Sequence, residues 1–158
     1  MIHSRMVASP AGPLCVKEEG GRITGIEFGG RCPDDASDGP VLLEAERQLA
    51  EYFAGKRKAF DLPTAVSGTA FQRAVWGALL AIPYGETQTY GFLARAAGSP
   101  RACRAAGNAC NRNPLPILIP CHRAVGADGG LTGFAGGLGV KALLLGLEKD
   151  NAGRGQGQ

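Results

Sequence analysis

Ile117-Leu118-Ile119-Pro120-Cys121-His122-Arg123 sets three reactive side chains directly behind a short apolar run. The run predicts a buried strand, and Pro120, which lacks a backbone donor, closes it. The thiolate is the reactive form of cysteine, and neighbouring cations lower its pKa, a role open to both His122 and Arg123. The competing role for Cys121 is that of a small buried hydrophobe. Neighbouring side chains point to opposite faces of a strand, and i and i+1 do not face each other on a helix. A direct Cys121–His122 ion pair is therefore awkward, whereas contact through one water, with His122 as base, is easier to build.

Upstream, Thr89 is a candidate cap for a helix over 90–97 that Gly98 ends. Ser99-Pro100 then opens a second helix at about Arg101, with proline in the favoured first position. Helix, tight turn, helix is the helix-turn-helix pattern, although such pairs also occur in plain helical cores. The second helix, Arg101 to Cys110, has almost no bulky apolar side chain, and its arginines three apart share a face. Arg95, Arg101, Arg104, Arg112 and Arg123 follow one another with no acidic residue between them. Residues 1–67 carry 8 Lys/Arg against 10 Asp/Glu, and residues 68–158 carry 9 against 4. A one-sided basic field of this kind is the footprint of a nucleic-acid site, or an ordinary solvated surface.

Asn111 to Pro116 is a polar turn that cannot continue the helix. Downstream of Cys121, the segment 126–139 holds seven glycines, so its backbone can approach a ligand, but it lacks the dinucleotide fingerprint. A final helix is expected over 140–149 with Val140, Leu143, Leu144 and Leu147 inward, then a disordered tail over 151–158. In the N-terminal third, 5–9, 14–17 and 22–28 read as strands, 29–40 as a loop, and 41–54 as a helix with Leu42, Ala45, Leu49 and Phe53 on one stripe. Thr69 caps a further helix that runs to Ile82 before Pro83, with Trp76 in its core. Five cysteines without a framework fit a reducing, intracellular setting, and neither a signal peptide nor a membrane span is expected. His3, Cys15 and Cys32 are too scattered for a zinc site, so neither metal nor cofactor is expected.

Ile119-Pro120-Cys121-His122-Arg123, preceded by Asn113-Pro114, resembles the acceptor-cysteine motif of the O6-alkylguanine-DNA alkyltransferases, and the likeness runs from about Gly68 to Glu148. The resemblance implies an α+β chain: a small ribonuclease-H-like scaffold domain (1–63), then a mostly helical, winged helix-turn-helix-like domain (64–150) that binds DNA and accepts the alkyl group. It implies that Cys121 takes an alkyl group from O6 of guanine, and from O4 of thymine, once and irreversibly. Asn113 would brace the turn, His122 and Glu148 would complete a water-linked relay, and Tyr90 would help rotate the nucleotide and return a proton. Arg104 would fill the gap left by the flipped base, and Ala102, Cys103, Ala105 and Gly107 would line the minor groove, with Arg101 and Arg123 also on the DNA side. Tyr90, Ala124, Phe134 and Ala135 would line the pocket. Four residues depart from the family pattern: Ala124 for valine or isoleucine, Phe134 for tyrosine, Ala135 for serine, and Cys103, a second thiol at a groove-facing position.

The implied partner is double-stranded DNA carrying O6-alkylguanine, met by a cytoplasmic monomer. A non-reactive lesion binder, a cysteine hydrolase and a helix-turn-helix regulator are the alternatives. The presence of Cys121 argues against the first, and the basic small-residue helix is superfluous for the second.

Overall fold

The computed structural model describes residues 1–29, 32–33, 36–134 and 136–152. The chain divides into two compact units, Met1–Val66 and Ser67–Gln158. The family-level expectation of an α+β chain holds: a small sheet unit comes first and a helical unit follows.

In the first unit β1 (Ile2–Val7), β2 (Leu14–Glu19) and β3 (Arg22–Phe28) form an antiparallel sheet in sequence order. Gly20 and Gly21 make the β2–β3 turn at φ +62° and +82°, where a Cβ would be strained. Helix α1 (Pro40–Phe53) packs on the sheet. Its buried stripe is Leu42, Ala45, Leu49 and Tyr52, so Tyr52 takes the place expected for Phe53. Gln48, also buried, binds the backbone of Asp61 through both ends of its carboxamide at 2.9 Å, fastening the outgoing chain to α1. Cys15 and Cys32 are joined in a disulfide, against the expectation of unpaired thiols.

In the second unit α2 (Ala70–Leu80) opens with a complete capping box, in which Thr69 and Gln72 satisfy each other's backbone donors. The short strand β4 (Gln88–Thr89) leads into α3 (Tyr90–Ala96), capped by the Thr89 hydroxyl. Helix α4 begins later than expected, spanning Cys103–Asn111. Ala102 N–H donates to the Ser99 carbonyl in a separate turn, so Pro100 is not the first helical residue and Arg101 precedes the helix. Ala106, Ala109 and Cys110 face inward, and Trp76 donates its indole N–H to the Ala109 carbonyl at 2.9 Å.

The strand expected over 117–119 does not form. Ile119 N–H closes a turn onto the Leu115 carbonyl at 2.8 Å, and Ile117 sits at φ +76° while 2% exposed. Positive φ in a β-branched residue costs on the order of 1–3 kcal/mol and persists only where the surroundings impose it. Here the side chain of Asn113 imposes it. Its Oδ1 accepts from Leu115 N–H at 2.9 Å and its Nδ2 donates to the Ile119 carbonyl at 2.8 Å, clamping both ends of the turn. Cys121–Arg123 follows as one 3-10 turn, and β5 (Ala124–Val125) pairs in parallel with β4.

Helix α5 (Leu138–Ala152) starts earlier and ends later than expected. Asn151 and Ala152, assigned to the tail, are helical, and the remaining tail residues 153–158 lie outside the described residues. Of the four aliphatics expected inward only Leu144 is buried, and Lys141 and Glu148 take the other buried places because two charged groups find partners inside.

Candidate active site and nucleic-acid face

Cys121 is 4% exposed on the 3-10 turn, its N–H bonded to the Ile119 carbonyl at 2.7 Å. Asn113 therefore holds the same carbonyl that anchors the cysteine. Burial pushes the Cys121 thiol up to about 11, opposed by the Asn113 hydrogen bond and the Lys141 ammonium. The adjacent cations do not activate this thiol. Resting Cys121 is protonated, and a base must act at the moment of reaction.

His122 is fully buried beside it. Its Nε2 lies 2.7 Å from Glu148 Oε2. A carboxylate only accepts, so Nε2 carries the proton and Nδ1 is the basic atom. Nδ1 has no hydrogen-bond partner among the described residues. Burial lowers the His122 pKa although the Glu148 hydrogen bond works against it, so the ring is neutral near pH 7. For Glu148 burial acts upward, but the hydrogen bonds from His122 and Arg123 outweigh it and hold the carboxyl at about 2.

Arg123, expected on the DNA side, turns inward. It is 7% exposed, donates Nε and Nη2 to the two oxygens of Glu148 at 2.8 and 3.0 Å, and donates Nη1 to the Ile82 carbonyl at 2.7 Å. A buried carboxylate requires a paired charge, and Arg123 supplies it.

Lys141 was not anticipated. Its ammonium is buried and donates to the Ala124 carbonyl at 2.6 Å, the Thr132 carbonyl at 2.8 Å and the Tyr90 hydroxyl at 3.3 Å. Burial lowers its pKa, with Cys121 and Cys110 acting the other way. Tyr90 donates to the Thr132 carbonyl at 3.1 Å, and burial raises its pKa. Lys141 thus ties the tyrosine to the Ala124 and Thr132 backbone, and its charge acts on the thiol. The signal for it lay in the spacing of Lys141, Leu144 and Glu148, which puts two opposite charges on the buried stripe of one helix.

A cavity of about 320 Å³ lies between α4 and the loop before α5. Tyr90, Thr132 and Gly133 meet Cys103, Arg104, Gly107 and Asn111 across it. Arg101, Cys103, Arg104 and Ala105 are exposed, and Ala102 and Gly107 half-buried, so the turn before α4 and the face of α4 that carries Arg104 are open. Gly107 lies against the Tyr90 ring, where a Cβ would come within 3.8 Å of it. Of the pocket residues, Ala124 is buried with its carbonyl on Lys141, Phe134 is half-buried, and Ala135 lies outside the described residues. The geometry brings together a buried thiol, a neutral histidine–carboxylate pair, a tyrosine–lysine pair and a basic helix face.

Comparison with known proteins agrees in both units. Residues 2–66 match the ribonuclease-like domain of 6-O-methylguanine DNA methyltransferase, and residues 70–150 match its DNA-binding domain. A methylated-DNA–protein-cysteine methyltransferase of Methanosarcina acetivorans is 49% identical over 93% of this chain and 98% of its own. The constitutive enzyme of that name from Bacillus subtilis is 46% identical over 94% and 96%. The crystal structure of Mycobacterium tuberculosis OGT in complex with DNA superposes with a TM-score of 0.87 at 43% identity, covering 94% of each chain.

Proposed function

The chain belongs to the 6-O-methylguanine DNA methyltransferase family, and from that premise we propose how its own residues repair DNA by moving an alkyl group from O6 of guanine to Cys121. The observation that carries the assignment is the His122 Nε2–Glu148 pair at 2.7 Å, which leaves Nδ1 as a base next to a protonated, buried thiol. His122 takes the thiol proton through one water, and Glu148 holds the ring in the required tautomer. The sulfur attacks the alkyl carbon, the C–S bond forms as the C–O6 bond breaks, and the electron pair passes to the guanine ring. Tyr90 returns a proton to the leaving base, with the Lys141 ammonium beside its oxygen to stabilise the negative charge. The product is a thioether that no group in the site reverses, so each chain acts once. The same displacement suits O4-alkylthymine.

The turn before α4 and the exposed face of α4 grip the duplex from the minor groove, through Arg101 and Ala102 in the turn and Cys103, Ala105 and Gly107 on the helix, while Arg104 occupies the gap as the lesion swings out. Extrusion costs on the order of a few kcal/mol, and less for a poorly paired damaged base. The N-terminal unit, assigned to residues 1–63, serves as scaffold, and residues 64–150 hold both DNA and alkyl group. Among the described residues no helix is long and apolar enough to cross a membrane. We place the protein in the cytoplasm as a monomer.

Intact-mass analysis after incubation with an O6-methylguanine duplex tests this directly. One methyl group on Cys121, absent from Cys121→Ala, is the expected result. Catalytic turnover, or repair with an unmodified chain, would refute it.

A further inference from the structure

Among the polar side chains that line the cavity beside α4 and that the reaction above does not use, the Thr132 hydroxyl is bonded to Tyr90 and the Asn111 carboxamide is not engaged. Asn111, in the last turn of α4, is exposed and lines the cavity, and its carboxamide engages no hydrogen bond among the described residues. It shares a helix face with Arg104 and Gly107, at spacings of three and four residues. Seven residues of helix place it about 10 Å beyond Arg104 along the axis. Across the cavity mouth stands Gly133, at φ +32°, where a Cβ would lie 3.4 Å from both Oδ1 and Nδ2 of Asn111. A side chain at 133 would crowd the carboxamide, and glycine leaves it open.

What passes this rim follows from what lies deeper. Tyr90 lines the cavity and accepts from the buried Lys141, so a reacting ring that reaches the tyrosine from this side passes the rim. The part of the nucleotide left at the mouth is the sugar–phosphate that ties it to the duplex. An asparagine Nδ2 donates readily to a phosphate oxygen, and contacts of this kind set register on a nucleic acid without reading its sequence. A free amide placed there is pre-positioned, because α4 is packed on α2 and α3.

We propose that Asn111 anchors the extruded nucleotide by donating its Nδ2–H to the adjoining phosphodiester at the cavity mouth, making it a DNA-binding residue of the alkyl-transfer site. This rests on Cys121 being the acceptor. Single-turnover transfer is to be measured with wild type, Asn111→Ala, Asn111→Asp and Asn111→Gln. The substrates are an O6-methylguanine duplex, the same duplex with a neutral methylphosphonate beside the lesion, and the free O6-methylguanine base.

Asn111→Ala should raise the duplex concentration for half-maximal rate about tenfold, as expected for one lost hydrogen bond to a charged acceptor, with the limiting rate and the free-base reaction unchanged. Asn111→Asp should lose more, and most at low salt, where repulsion from phosphate is least screened. Asn111→Gln should recover most of the affinity. The methylphosphonate should weaken wild type but add little to the Ala variant. Equal losses on duplex and free base would mark Asn111 as a brace for the loop, selective loss on the free base would mark it as a base reader, and no loss would leave it idle. Each of these overturns the proposal. A wild-type chain that takes no methyl group on Cys121 from any substrate would instead bring down the acceptor assignment itself.

Discussion

Replacing Glu148 with glutamine removes one negative charge from a carboxylate that is 1% exposed and accepts from His122 Nε2, from Arg123 through two nitrogens, and from Gly85 N–H at 3.2 Å. Glutamine is nearly isosteric, but one of its ends donates. It must therefore confront either the Arg123 guanidinium or the His122 Nε2–H with a second donor. Breaking a buried ion pair from one side costs about 3–5 kcal/mol. An independent route agrees: a carboxyl held at about 2 instead of 4.5 contributes on the order of 3 kcal/mol near neutral pH. For a unit of this size, that lowers the melting temperature by roughly 10–25 °C.

The sign with pH follows from the depressed pKa. The contribution is complete above about 4.5 and fades as pH falls toward about 2, so wild type and Glu148→Gln should converge in acid. His122 acts in the same sense, since burial keeps it neutral in the folded chain and acid protonates the unfolded one first. Thermal melts followed by circular dichroism at several pH values measure this, alongside the single-turnover rate, expected to fall about 100-fold or more with the orienting carboxylate gone. A variant melting within about 2 °C of wild type at pH 7, with a gap that does not close in acid, would refute the buried-pair account.

The rate of wild-type transfer should be level from near pH 7 up to about pH 9, because neutral His122 acts on a thiol that stays protonated throughout. A tenfold rise per pH unit across that range would instead mean that pre-formed thiolate reacts and His122 is not the base. Lys141→Met should slow transfer to duplex and free base alike, by about 10- to 100-fold, since it removes the charge beside Tyr90 and Cys121; an unchanged rate in stopped-flow or quench measurements would exclude that role. Arg104→Ala should weaken repair of duplex far more than reaction with free base, and should flatten the salt dependence of binding by about one unit of slope. Equal losses on the two substrates, or an unaltered salt slope, would count against its place in the duplex.

Local chemistry was legible along the chain. Thr69 and Thr89 cap the helices they precede because a hydroxyl next to free N–H groups needs no distant partner. The small-residue, arginine-bearing character of α4 and the Cys121-His122 order are likewise contiguous in the sequence. Reading 117–119 as a strand failed because Asn113 clamps the two ends of that turn, and apolar runs do not announce such a clamp.

By itself the sequence determined the three N-terminal strands, the main helices and their caps, the Cys121-His122-Arg123 order and the basic balance of the second unit. Only the tertiary structure decided that Arg123 points inward to a carboxylate 25 residues away and to the Ile82 carbonyl 41 residues back, and that Lys141 spans Tyr90 and Ala124. It also decided that burial pushes the Cys121 thiol up to about 11 despite the cations beside it in sequence. The physical reason is that propensity and capping act within a few residues. The orientation and protonation of a buried charge depend instead on whichever partners the packed chain brings to it.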